Sequence, residues 1–204
     1  MKKHYIIGLT GPTGSGKTTF SDLAQKRGIF CIDADKTARR ATEPGQPALT
    51  GLSREFGEDI INPDGSLNRA LTAERAFASK EATLRLNEIT LPHIVREIDK
   101  EIESCGDKYI LLDAPTLFES GADGICDVTV AVLAGRKLRE ARIKQRDGLN
   151  SKAAKLRLDA GKPDEFYFHR CRYVITNDGD LENFTCEIDR LLDKILEESS
   201  NVLL

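Results

Sequence analysis

The 204-residue sequence has no apolar run long enough to span a bilayer, so membrane insertion is not expected. It also has no large excess of one charge. Thirty Lys and Arg stand against 33 Asp and Glu, a net charge of −3, which argues against a general nucleic-acid binder while leaving room for a local basic site. Close cysteine pairs are missing too. Cys31, Cys105, Cys126, Cys171 and Cys186 are scattered and odd in number, which fits free thiols in a reducing compartment and neither a disulfide framework nor a zinc site. The opening Met1-Lys2-Lys3-His4 lacks the apolar segment and small-residue cleavage site of a secretory signal, so a cytoplasmic location is expected, with His4 at the surface. Neither an internal repeat nor a low-complexity linker divides the chain.

What is present centres on Gly11-Pro12-Thr13-Gly14-Ser15-Gly16-Lys17-Thr18. The apolar run Tyr5 to Leu9 precedes it and a helical pattern from Thr19 follows. Gly, four residues, then Gly-Lys-Thr between a strand and a helix is a phosphate-binding P-loop. Its glycines let the backbone N–H groups turn inward toward phosphate oxygens, and the following helix adds its positive N-terminal end. Lys17 is expected on the β- and γ-phosphates and the Thr18 hydroxyl on Mg²⁺.

Apolar runs at Tyr5–Leu9, Ile29–Ile32, Tyr109–Leu112, Val128–Leu133 and Tyr173–Ile175 predict five strands alternating with helices. The expected fold is α/β, three layers around a five-stranded parallel sheet with a helical insertion and a helical lid; the family resemblance given below implies that this is a P-loop kinase fold and that the insertion binds substrate. Residues 1–45, 105–135 and 172–204 would form the nucleotide-binding core, 46–104 the insertion and 136–171 the lid. Within the insertion, Pro92 is expected to start a new helix or kink the old one.

Chemistry-bearing candidates fall at predicted strand ends, the edge where open α/β sheets bind ligands. Asp33 ends the second strand, where a carboxylate can take or align an acceptor hydroxyl proton. The competing role is the N-cap of the next helix. Asp35 is available for that role, and is equally a candidate substrate contact. Asp113 ends the third strand, the position of a carboxylate holding Mg²⁺ through water; its plain alternative is a turn former. Glu119 is either a substrate contact or a surface carboxylate. Arg142 and Arg146 share a helix face in the basic segment after Leu133, where lid arginines could neutralise a transferring phosphoryl group. A charge-rich helix of this kind is otherwise a solvated surface.

Taken together, these residues resemble the dephospho-CoA kinase family over almost the whole chain. The resemblance rests on Ile7 through Thr18, Ile32-Asp33-Ala34-Asp35 with Ala38-Arg39, Phe56-Gly57, Asp64-Gly65, Asn68-Arg69, Leu86-Asn87-Glu88-Ile89 with Pro92, Leu117-Phe118-Glu119, Arg142, Arg146-Asp147, Arg157 and Ile175 through Gly179. It implies ATP and Mg²⁺, dephospho-CoA as the small-molecule acceptor, and a monomer with no nucleic-acid or membrane partner. It also implies Asp33 as base, with Lys17, Arg142 and Arg146 stabilising charge. ATP would be held by Gly11 to Thr18, Thr19 and Asn177, and the acceptor by Asp35, Arg69, Asn87, His93, Leu117 and Glu119. Leu91 stands where the family has His, Thr116 where it has Leu, and Arg139 and Gly161 where it has Gln. Two other readings are a related small-molecule kinase with a diverged acceptor pocket and a nucleotide- or CoA-binding protein without transfer activity. A tRNA prenyltransferase shares the Gly-Pro-Thr loop but is disfavoured by Asp33-Ala34-Asp35 and the lack of basic excess.

Overall fold

A computed structural model of the chain describes residues 3–200. The chain divides into two compact units, 1–32 with 105–204, and 33–104.

The first unit is built on a five-stranded sheet of order β2-β3-β1-β4-β5, with β1 Tyr5–Thr10, β2 Phe30–Asp33, β3 Tyr109–Asp113, β4 Val128–Leu133 and β5 Tyr173–Thr176. β1 is central and buried along its whole length, as expected of a parallel strand covered on both faces. Its register sets Leu9 against Asp113 on one side and Thr10 against Ala131 on the other. The chain fills one side of β1 and then crosses to the other, so the carboxyl end of β1 is the topological switch point.

Alternation places Tyr5, Ile7 and Leu9 in a core with Phe20 and Ala24 of α1 (Lys17–Lys26) and Phe184, Ile188, Leu192 and Ile195 of α9 (Leu181–Ser199). Each such large apolar side chain, once fully buried, contributes about 1.5–3 kcal/mol. α9 starts cleanly because Asp180 accepts from Asn183 N at 2.8 Å. The basic segment forms α6 (Arg136–Asp147), α7 (Ser151–Asp159) and α8 (Asp164–Phe168). Ile143, Ala154 and Leu158 make the small core joining α6 to α7, and Tyr167 packs α8 on Ala131 and Leu133 of β4. His4 is buried rather than exposed: Nδ1–H donates to the Asp107 carbonyl at 2.8 Å, which ties the entry of β1 to the approach of β3.

The second unit is helical, with α2 (Ala34–Arg40), α3 (Pro47–Phe56), α4 (Arg69–Ala76) and α5 (Lys80–Ser104). Its core is Leu52, Phe56, Ile60 and Ala76 with Leu86 and Ile89 packed against them. The helical unit starts at Asp33, earlier than the 46 read from the sequence, because Thr37 donates to Glu101 at 2.7 Å and Arg40 pairs with the same carboxylate. α5 runs through Pro92 without starting a new helix. The break falls instead after α4, where Ser79 Oγ accepts from Ala82 N at 3.0 Å and supplies the cap that Pro92 lacks.

Candidate active site

The loop after β1 is wound by backbone conformations that only glycine adopts readily. Gly11, Gly14 and Gly16 have φ of 140°, 78° and 113°. Space enforces the choice as much as torsion does. A Cβ on Gly11 would lie 2.2 Å from Val132 O, and one on Gly16 would lie 2.3 Å from Asn177 Nδ2. α1 therefore opens on a residue with no side chain to cap it, which suits a helix whose first N–H groups are meant for an anion. Lys17 folds back over the loop and donates to Gly11 O at 2.7 Å, with Pro12 O at 3.4 Å. Thr18 is exposed at the head of α1, Pro12 is buried, and Thr13 and Thr19 are half-buried. Ser15 is buried, and its hydroxyl has no hydrogen-bond partner among the described residues.

Arg142 of α6 reaches this loop with its side chain. Its Nη1 donates to Gly14 O and Ser15 O, both at 3.4 Å, and its Nη2 donates to Asn177 O and Oδ1 at 3.1 and 3.2 Å. Arg146, one turn on, is turned elsewhere. It forms a fork with Asp147 at 2.7 and 3.0 Å, and Arg157 reaches the same carboxylate at 2.7 Å. Those guanidinium donors hold the Asp147 carboxyl below its ordinary range.

Asp113 ends β3 and accepts from Ser21 Oγ of α1 at 2.8 Å, so it faces the helix that carries Thr18. Its negative charge adds to burial in pushing the Cys31 thiol up to about 11. Leu117 is fully buried and packs over Gly8, where a Cβ would come within 2.9 Å of Leu117 Cδ2. Its side chain is therefore part of the core. Glu119 is exposed, with Lys162 at 4.0 Å.

Asp33 is the last residue of β2 and the first of the helical unit. The cap expected from Asp35 comes from Asp33 itself: Oδ1 accepts from Lys36 N at 3.0 Å, and Oδ2 pairs with Lys36 Nζ at 3.1 Å. Helix α2 starts at Ala34, two residues earlier than a cap at Asp35 would give, which places the cap on Asp33. Asp35 sits exposed in the first turn. In the same unit Arg69 donates to Thr42 Oγ1 at 3.1 Å and to Arg39 O at 3.3 Å. It lies on the wall of an apolar groove of about 230 Å³ with Thr42, Thr72, Leu86 and Thr90. Asn87 and His93 are half-buried on α5, but Leu86, Thr90 and Ile94 are the α5 residues that line the groove.

Three supporting contacts were not legible in the sequence, although Arg139 and Asp178 are singled out there. Ser21 orients Asp113, and Asp178 Oδ1 accepts from Gly135 N at 2.6 Å to fix the start of α6. Arg139, buried on α6, presses its backbone against the loop: a Cβ on Gly14 would lie 3.0 Å from Arg139 O. The Asn177-Asp178-Gly179 turn was the one available signal, and only its turn-forming chemistry was legible.

This sheet order, the glycine-wound loop and the arginine-bearing helices after β4 define a P-loop kinase fold. Solved structures agree. A crystal structure of a Thermus thermophilus protein superposes with a TM-score of 0.83 at 31% identity, covering 97% of this chain and 98% of that one. Shikimate kinase from Acinetobacter baumannii shares the fold at a TM-score of 0.53 and 17% identity, covering 96% and 94%. The model of the family "Dephospho-CoA kinase" matches residues 5–183. A Corynebacterium efficiens dephospho-CoA kinase is 43% identical over 93% of this chain and 96% of its own length. One from Anaeromyxobacter dehalogenans is 38% identical over 92% and 90%. The chain belongs to the dephospho-CoA kinase family.

Proposed function

We propose that this chain transfers the γ-phosphoryl group of ATP to the ribose 3′-hydroxyl of dephospho-CoA, giving coenzyme A and ADP, the final step of coenzyme A biosynthesis. The observation that carries the reading is the convergence of Lys17 and Arg142 on one glycine-wound loop, in a chain of this family. Both cations donate to carbonyl oxygens of the loop. A phosphate oxygen is a stronger, charge-assisted partner, so ATP draws both side chains off the loop and onto its phosphates. In the transition state they neutralise the charge spreading over the transferring group.

Asp33 accepts or aligns the acceptor hydroxyl proton, with Lys36 Nζ 3.1 Å from its carboxylate. Mg²⁺ suits the hard oxygen donors Thr18 and Asp113, and would supply charge neutralisation at the phosphates. In this reading residues 46–104 help hold the acceptor, with Arg69 and its groove as their contribution, and 136–171 act as the lid. The protein works as a cytoplasmic monomer. No helix among the described residues is long and apolar enough to cross a membrane.

Coupled ADP release, with dephospho-CoA set against nucleosides, nucleotides and small hydroxylated acids, tests the reading. Turnover is expected with dephospho-CoA and Mg²⁺ and is abolished by EDTA. Faster turnover with another acceptor would move the chain to a diverged small-molecule kinase, and ADP release with no acceptor in the panel would overturn the transfer reading altogether.

A further inference from the structure

The residue that holds the phosphate loop in register is not in the loop. Asn177 follows β5 and is 7% exposed. Its backbone N–H donates to Leu133 O at 2.8 Å, which joins it to the end of β4. Its side-chain Nδ2 donates to Ser15 O at 2.8 Å. Its two oxygens, main-chain and amide, accept from Arg142 Nη2. The amide also lies flat against Gly16, whose missing Cβ would sit 2.3 Å from Nδ2. A primary amide is one of the few groups that can do this, because it donates from one end and accepts at the other within a single plane. Burial leaves it little surface for a ligand.

We infer that Asn177 is a positioning residue that acts on the nucleotide through the P-loop and Arg142, and not a residue that contacts ATP. Its donor end fixes the Ser15 carbonyl and with it the turn that aims the N–H groups of Gly16 and Lys17. Its acceptor end adds a bond of 3.2 Å to the 3.1 Å bond that the main-chain carbonyl makes, and together they park Arg142 at the loop's edge on neutral oxygens, weakly enough for phosphate to replace them. One side chain therefore sets both the resting place of the lid arginine and the shape of the cradle that the arginine leaves for. The inference rests on nucleotide binding at this loop and not on which acceptor is used.

The chemistry predicts an order among variants. Asn177→Ala removes the brace and leaves Ser15 O and the Arg142 guanidinium short of a partner. Asn177→Asp keeps the shape, but it turns a carboxylate toward Ser15 O and grips Arg142 with a full charge. The second change should therefore be worse than the first.

The test uses the full chain, a fluorescent ribose-labelled ATP analogue for affinity, and thermal unfolding to establish that each variant is folded. Asn177→Ala is expected to weaken the analogue about tenfold, the scale of one lost buried hydrogen bond. Asn177→Asp should weaken it further, and Arg142→Ala added to Asn177→Ala should cost much less than Arg142→Ala alone. The preference for ATP over GTP should be the same in wild type and in both Asn177 variants. Additive losses, wild-type affinity in the isosteric Asn177→Asp, or a changed ATP-to-GTP preference would each overturn the inference, the last by showing a direct contact with the base. Binding is read without an acceptor, so failure of dephospho-CoA to serve as substrate would count against the proposed reaction alone.

Discussion

The two units hold their polar groups in different ways. In the first, the phosphate loop and its neighbours are held largely by side chains tied to backbone: Lys17 to Gly11 O, Asn177 and Arg142 to Ser15 O, and Asp178 to Gly135 N. In the helical unit several prominent ties are side chain to side chain. Arg40 pairs with Glu101, Arg75 with Asp59 and Lys36 with Asp33, mostly half-exposed. Backbone anchors cannot rotate away, and they preorganise a cradle for a fixed ligand such as a triphosphate. Exposed ion pairs are individually weak and exchangeable, which would suit the role proposed for this unit, holding a long, flexible acceptor.

This contrast can be broken or sharpened by substitution, starting with the largest effect. Asp33→Asn should lower kcat by about 10²–10⁴-fold, the usual scale of general acid–base catalysis, while ATP affinity stays near wild type. Steady-state kinetics beside nucleotide titration checks it, and lost ATP binding with preserved turnover would remove Asp33 from its assigned role. Leu52→Ala opens the helical core and should cost about 2–5 kcal/mol in urea unfolding without weakening ATP binding. If nucleotide affinity fell as far as stability, the two units would not be separable in the way described. Gly16→Ala, placed at φ 113° against Asn177, should cost about 1–3 kcal/mol and in addition reduce nucleotide affinity.

Glu101→Ala should cost only about 1 kcal/mol in the same unfolding experiment. Thr37 keeps a second acceptor in the Asp33 carbonyl, at 3.1 Å, and Arg40 is half-exposed. The smallest effect is chemical. Burial pushes the Cys31 and Cys171 thiols up to about 11, so both stay protonated at pH 8. Alkylation of the native protein should label exposed Cys186 and spare those two until denaturant is added. Equal labelling by mass spectrometry would contradict the packing of β2 and of the segment before β5.

Much of the first unit was legible because its constraints are local. Three glycines, a lysine and a threonine at fixed spacing between a strand and a helix admit few conformations, and fully apolar runs mark buried parallel strands. Asp113 was legible as a strand-end carboxylate, but Ser21, its partner, was not. Their contact joins residues 92 apart in sequence and leaves no periodic trace. The cap of α2 was misplaced by two residues because either aspartate satisfies the local pattern, and the backbone decided between them. Pro92 is tolerated inside α5 because packing of that long helix outweighs one missing hydrogen bond, whereas the Ser79 cap is too common a pattern to predict a break by itself. Leu117 looked like part of a substrate motif. Only the sheet, with Gly8 beneath it, shows that its side chain is core.

The most direct measurement is ³¹P NMR of the product after incubating the protein with ATP, Mg²⁺ and dephospho-CoA. A new phosphomonoester resonance is expected beside the acceptor's pyrophosphate signals, coincident with that of authentic coenzyme A and absent with Asp33→Asn. ADP formation with no such resonance, or a phosphomonoester at a different position, would contradict transfer to the ribose 3′-hydroxyl.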